Sequence, residues 1–210
     1  MKFSFVVFSV VGIILGIIIM LLLPNFVLFP AKIQSSLFSI EHAPKKSIQA
    51  QIISYTPDVS WESRVATIPA ELTNTVSISQ GEEIDTGSGS AIIALDPFGT
   101  ISVAKDTTID FIQLLPFNMV LLQGKGTVVY TNTKNGQLGV VTGNLLIQIS
   151  SGMCSVTVNT NTNTITIAVA SGVSMVAYND TNYTSHVLTV TGKQTYIFDN
   201  LAKTGVLKKV

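Results

Sequence analysis

A chain of 210 residues has room for one ordinary domain and an anchor. Its 12 basic and 12 acidic residues cancel, and Arg64 is the only arginine, which excludes the concentrated positive charge that nucleic-acid backbones demand. Charged residues make up 11% of the chain, against roughly 25% in typical soluble proteins; an apolar anchor accounts for part of the deficit and a Thr-, Ser- and Asn-rich surface for the rest.

The first element is a continuous apolar run. Phe3 to Leu23, "FSFVVFSVVGIILGIIIMLLL", carries no charge. As a helix it would measure about 31 Å, the thickness of a bilayer's hydrocarbon core. A secretory signal would have a shorter apolar region and small residues around its cut, whereas Phe29 stands where a small residue is wanted before Ala31. Residues 1–30 are therefore expected to be an uncleaved, single-pass anchor in the lipid bilayer and its exit. Lys32, Lys45 and Lys46 lie beyond the helix and by charge alone favour the opposite orientation. The character of the following domain nevertheless places the amino terminus inside and the bulk of the chain outside the cytoplasm. Ser9, Gly12 and Gly16 share one helical face, and the GxxxG spacing of Gly12 and Gly16 makes a candidate seam for a homodimer. Residues 31–46 are the juxtamembrane linker. In it Ile33, Leu37 and Ile40 recur at helical spacing before Pro44; a short helix on the membrane surface and a plain linker both fit.

From residue 47 to about 200 the pattern changes to alternation. "IQAQII", "TVSIS", "SAIIAL", "TISV", "TIDFI", "GTVVY", "LLIQI", "CSVTV", "TITIAV", "HVLTV" and "TYIF" follow one another, rich in Thr, Val and Ile as a half-buried pleated surface prefers. The expected fold class is all-β, many short strands arranged as a sandwich or short solenoid, preceded by the one N-terminal transmembrane helix. Residues 201–210 read as a C-terminal tail. In "CSVTVNTNTNTITIAV" the apolar parity is even at Cys154, Val156 and Val158 and odd at Ile165, Ile167 and Val169. Side chains alternate faces with period two, so a turn must intervene. Asn161-Thr162-Asn163 is its natural place, and a solvated hairpin tip explains the Thr/Asn run. Thr-Gly precedes an alternating strand three times, at Thr86-Gly87, Thr142-Gly143 and Thr191-Gly192; each glycine is expected to supply a positive φ at a tight corner.

Few residues offer chemistry. Cys154 sits in an apolar alternation and is expected to be a buried, inert thiol, with only His42 and His186 in the chain as bases. Glu82, Glu83 and Asp85 cluster at a turn, where solvated acids are a better account than a calcium site. No phosphate loop, nucleophile elbow or dinucleotide fingerprint is present. No catalytic residue, metal or cofactor is therefore expected, and the chain is not expected to be an enzyme. The run "FIQLLPFNMVLLQG" at 111–124 has no charge. Two buried strands around a corner at Pro116 account for it; the alternative is an apolar contact surface carrying Phe111, Leu115, Phe117 and Met119, facing a partner or the membrane. Asn179 and Asn182 begin N-x-T sequences of the kind that arise by chance in such a composition.

Together the corners resemble those of the FecR domain family. Gly81, Ile84, Thr86, Gly87 and Ser90 fit its opening signature, with Trp61 upstream where a tryptophan commonly precedes it. Leu95 to Ile101 is similar to its next strand–turn–strand element, with Pro97 and Phe98 inside the turn. "LLQGKGTVVY", "GMCSVTV", "TITIAVASGVSMV" and "TGKQTYIF" follow in the family's order over roughly 47–200, with Met153 where the family has a threonine. The resemblance implies an all-β extracytoplasmic module without catalytic residues. Signalling members place a cytoplasmic segment before the helix, where it meets a sigma factor; only Met1 and Lys2 precede Phe3 here, so that contact is not expected. A receptor-contacting module after the domain is not expected either. The expected function is a membrane-tethered, non-catalytic module that binds or signals to an envelope or surface component, protein or glycan. The alternative is a self-associating envelope scaffold.

Overall fold

The structure is a computed structural model, and it describes residues 47–66, 68–133 and 136–209. The anchor, the Gly12–Gly16 seam and the linker helix lie outside the described residues. Among the described residues the fold is all-β, and no helix is long and apolar enough to cross a membrane.

Fifteen strands follow in chain order. They begin with β1 (Ala50–Tyr55), β2 (Val59–Glu62), β3 (Ala70–Glu71), β4 (Ser77–Ile78) and β5 (Glu83–Thr86). Next come β6 (Ala91–Leu95), β7 (Gly99–Val103), β8 (Thr107–Leu115), β9 (Asn118–Asn132) and β10 (Gln137–Thr142). The chain closes with β11 (Leu145–Asn159), β12 (Thr164–Asn179), β13 (Ser185–Thr191), β14 (Gln194–Asp199) and β15 (Thr204–Lys209). All belong to one hydrogen-bonded network, which branches. In one layer β4, β1, β6 and β7 lead to the second half of β9, then to the second half of β11, the first half of β12, β14 and β15. In the other, β3, β2, β5 and β8 lead to the first half of β9, then β10, the first half of β11, the second half of β12 and β13. Three strands thus pass from layer to layer at bulged corners, a device of sandwiches whose strands switch sheets.

Burial shows where the corners lie. In β9 the buried positions are Met119, Leu121 and Gln123, then Val128, Tyr130 and Asn132. In β11 they are Leu145, Ile147 and Ile149, then Cys154 and Val156; in β12, Ile165, Ile167 and Val169, then Ser174 and Val176. Each switch of parity keeps the same face inward after the bend, and one core is shared by both layers. At two corners Gly152 (φ +85°) and Gly172 (φ +81°) stand opposite each other across the β11–β12 ladder. A Cβ on Gly172 would run into the Ser151 carbonyl oxygen, and one on Gly152 into that of Ser171, so both left-handed conformation and lack of space call for glycine.

The strands are not uniformly short: β9, β11 and β12 have 15, 15 and 16 residues. The hairpin expected at Asn161–Asn163 is present, with Asn159 opposite Thr164, Val158 opposite Ile165 and Val156 opposite Ile167. Asn159 Oδ1 accepts from the backbone N–H of Asn161 and Thr162, and Asn163 carries φ +51°. The segment expected as a tail is different. Thr204–Lys209 pairs along its length with β14, so the sheet continues to Lys209; a short alternation carrying two lysines suits a strand at a sheet's margin.

Candidate functional site

The five residues of the glycine-turn signature form a structural knot. Ile84 is fully buried. Thr86 is buried too, and its single hydroxyl proton goes to the Ala104 carbonyl, with the Thr107 carbonyl also within reach, while its oxygen accepts from the Thr107 N–H. Gly87 does not have the expected positive φ; a Cβ there would strike the Asp58 carboxylate, which accepts from the Ser88 N–H at 2.6 Å and is held below its usual range by that bond. Close approach, rather than backbone conformation, requires glycine at this position. Ser90 is tied to Thr56 by paired contacts, Ser90 N–H to Thr56 Oγ1 at 2.7 Å and Thr56 N–H to the Ser90 carbonyl at 2.9 Å. Gly81 turns with φ +84° beneath the Arg64 side chain. Of the three Thr-Gly corners, only Gly143 has the expected φ, at +52°; beside Gly192 the positive φ falls on Lys193.

The apolar run divides. Phe111 and Met119 are fully buried core residues on β8 and β9 and cannot belong to a contact surface. Leu115 is half-buried, and Phe117, at the hairpin tip, is 57% exposed. The bulge between Phe111 and Gln113 moves the buried parity of β8 from Phe111 to Leu114, so Leu115 does not share the face of Phe111 and the four candidates are not brought together.

The titratable groups serve the fold. Burial pushes the Cys154 thiol up to about 11, in keeping with an inert side chain. Glu82 accepts from the Ser79 N–H at 2.7 Å and from Trp61 Nε1 at 3.0 Å. Asp85 accepts from Thr108 Oγ1 at 2.8 Å and meets Lys125 Nζ at 3.2 Å. Glu83 faces Asp110 across the β5–β8 ladder, and partial burial together with that like charge raises it to about 7. Among the described residues no group of three or more His, Cys, Asp or Glu side chains is placed to hold a metal ion.

The other end of the layers carries features that periodicity did not reveal. His186 Nε2 lies 2.9 Å from Asp180 Oδ2, and the imidazole stacks on Tyr178 with centroids 5.0 Å apart. Tyr178 in turn packs against Phe198 at 4.9 Å, joining β12 and β13 of one layer to β14 of the other. Asp180 also accepts from the N–H groups of Asn182 and Thr184, and these bonds, with His186 foremost, hold its carboxyl below the usual range. The pair therefore organises the β12–β13 turn. Beside it runs a shallow cleft of about 520 Å³, lined by Val141, Asn144, Leu146, Ala177, His186 and Val187 among others.

At the margin of the adjoining layer, β15 pairs only with β14 among the described residues. Every position of the strand is exposed, Val206 by 60%. Lys203, Lys208 and Lys209 line it with no acid within the strand. A strand so placed offers a row of backbone donors and acceptors to an added strand, with apolar side chains on both faces and positive charge around them.

No family model matches this sequence, and no curated protein matches it. Two crystal structures, each of a candidate anti-sigma factor from Parabacteroides distasonis ATCC 8503 and determined at 2.50 and 1.65 Å, are similar in fold. Their TM-scores are 0.51 and 0.52 at 14% identity, over 60% of this chain and 59% of each of theirs. The chain therefore matches less than two thirds of those proteins' length. At this identity the likeness is one of fold, and it agrees at that level with the FecR resemblance of the sequence, which no family model supports.

Proposed function

We propose that this protein is a non-catalytic regulatory or signalling β-module of FecR type, tethered by its N-terminal helix with the domain outside the cytoplasm. It receives an extended segment of an envelope protein along β15. The carrying observation is that margin: a fully exposed strand that pairs on one side only among the described residues, apolar at Val206 and Leu207 and flanked by lysines. The fold likeness to two candidate anti-sigma factors supports a regulatory role. Main-chain pairing supplies affinity in such strand addition, and side-chain pockets supply choice.

Residues 47–210, immobilised, test this by retention of an envelope protein with Val206→Pro and Leu207→Pro as comparisons. Neighbouring N–H groups of a strand point opposite ways, so one proline removes an outward donor and the other a bond to β14. The outward one abolishes retention with an unchanged melting temperature. Retention that survives both substitutions overturns the reading. A reporter fused after Val210 fixes the topology; a cytoplasmic signal removes the envelope partner.

A further inference from the structure

The end of the domain where the chain arrives from residue 46 is built differently from the β15 margin. Ser47 is the first described residue, and the backbone N–H of Ile48 donates to the Leu114 carbonyl at 2.9 Å. This bond places the start of the domain beside the β8–β9 hairpin tip. Gln80 Oε1 accepts from the Leu114 N–H at 3.3 Å in the same corner. A polar cleft of about 510 Å³ is lined here by Ser47, Arg64, Val65, Gln80, Glu82 and Leu115, so the loop after β2 stands at the same end. Val65, at 89% exposure, lines this cleft, and Phe117, at 57%, stands at the hairpin tip two residues beyond Leu115, which lines it too. Arg64, the only arginine in the chain, lines the same cleft, exposed and draped over Gly81.

We propose that this end docks on the lipid bilayer, Phe117 and Val65 entering the boundary between headgroups and acyl chains and Arg64 meeting headgroup phosphates. The proposal rests on the membrane-tethered reading. Forty-six residues precede Ser47, and they include the uncharged run from Phe3 to Leu23. Residues 24–46 separate that run from Ser47 and carry Lys32, Lys45 and Lys46, and the chain enters the described domain at this end. Exposed aromatic and aliphatic tips flanked by cationic side chains are the chemistry of interfacial anchoring, in which the cation reaches up to the phosphates while the apolar groups descend. Each tip alone is a weak anchor. Tethering makes the second contact intramolecular and so raises its effective concentration. Glu82, the acid of the cleft, is occupied by Ser79 and Trp61 and does not confront the headgroups.

The test is amide hydrogen exchange on the full chain in nanodiscs of phosphatidylcholine and phosphatidylglycerol, compared with residues 47–210 and residues 24–210 in lipid-free buffer. Both fragments keep all strand pairings and the shared core found among the described residues. Exchange at residues 64–66 and at Phe117 and Asn118 should slow by about tenfold or more in the nanodisc alone. The full-chain variant Val65→Ser/Phe117→Ser should lose that protection while the rest of the sheet exchanges as before. Equal exchange at these tips in all three samples overturns the docking while leaving the anchor intact. Protection already present in residues 24–210 without lipid also overturns it, since the linker would then be the occupant. A full chain that washes out of the nanodisc at high pH removes the tether itself, and the docking with it.

Discussion

Gln123 and Tyr130 form the most exacting polar contact in the core, and their removal has a calculable outcome. Both are fully buried, on either side of the β9 corner. Tyr130 O–H donates to Gln123 Oε1 at 3.0 Å, and Gln123 Nε2 donates to the carbonyls of Gly126 and Val156, each at 3.0 Å. Burial raises the Tyr130 phenol well above its ordinary value, so it stays a donor. Tyr130→Phe leaves one amide oxygen without a donor and should cost about 1–2 kcal/mol, within the range for one orphaned buried group. Gln123→Leu orphans the phenol and takes a donor from two carbonyls, and should cost about 3–5 kcal/mol. In the double variant the phenol is absent, so its orphaning is not counted, and the total should fall short of the sum by about 1–2 kcal/mol. Urea unfolding of residues 47–210, followed by circular dichroism and by Trp61 fluorescence, measures all four corners of the cycle. Additivity within about 0.5 kcal/mol would refute the reasoning, because the two side chains would then not share a bond.

The other predictions use the same fragment. Glu83 ionises in the folded state only near pH 7, against 4.5 unfolded. The folded state therefore binds more protons between those values, and stability falls as pH rises through that window. Glu83→Gln should flatten that decline in thermal melts, and an unchanged slope would contradict the assignment. Gly172→Ala should cost about 2–4 kcal/mol by denaturant titration, from the left-handed φ and the blocked space together. Gly139→Ala, where a Cβ would find ordinary contact with the Met119 carbonyl at 3.5 Å, should be close to neutral; equal losses would deny the corner its special role. Cys154 should resist a thiol reagent at about pH 8 and react only as fast as the protein opens, which mass spectrometry with and without urea would show.

Strand identity was legible because Thr, Val and Ile alternate with period two, and the 159–164 hairpin because parity changes there. The same change of parity occurs in "MVLLQGKGTVVY", between Leu121 and Val128. A hairpin turn and a bulged corner in one continuous strand leave the same mark in a sequence, and only long-range pairing separates them. Gln123, Asn132 and Thr86 could not be read as core, since hydropathy treats a satisfied buried polar group as a surface residue. Asn132 Nδ2 reaches the carbonyls of Gly136, Ile149 and Ser150, a set assembled from segments far apart in sequence. The exposure of Phe117 beside the burial of Phe111 and Met119 follows from the tip's geometry. The strand at 204–209 was hidden by its lysines, which lower apolar contrast where an unpaired margin needs charge.

The path from β15 back to β1 runs through β14, β12, β11, β9, β7 and β6. Seven ladder steps of about 4.8 Å make roughly 34 Å of continuous sheet. That span is a ruler: the far rim is kept at a set distance from the point where the polypeptide enters the described sheet. Because β9, β11 and β12 are stitched into both layers, a tug on that rim is shared by the whole body and cannot peel one layer from the other.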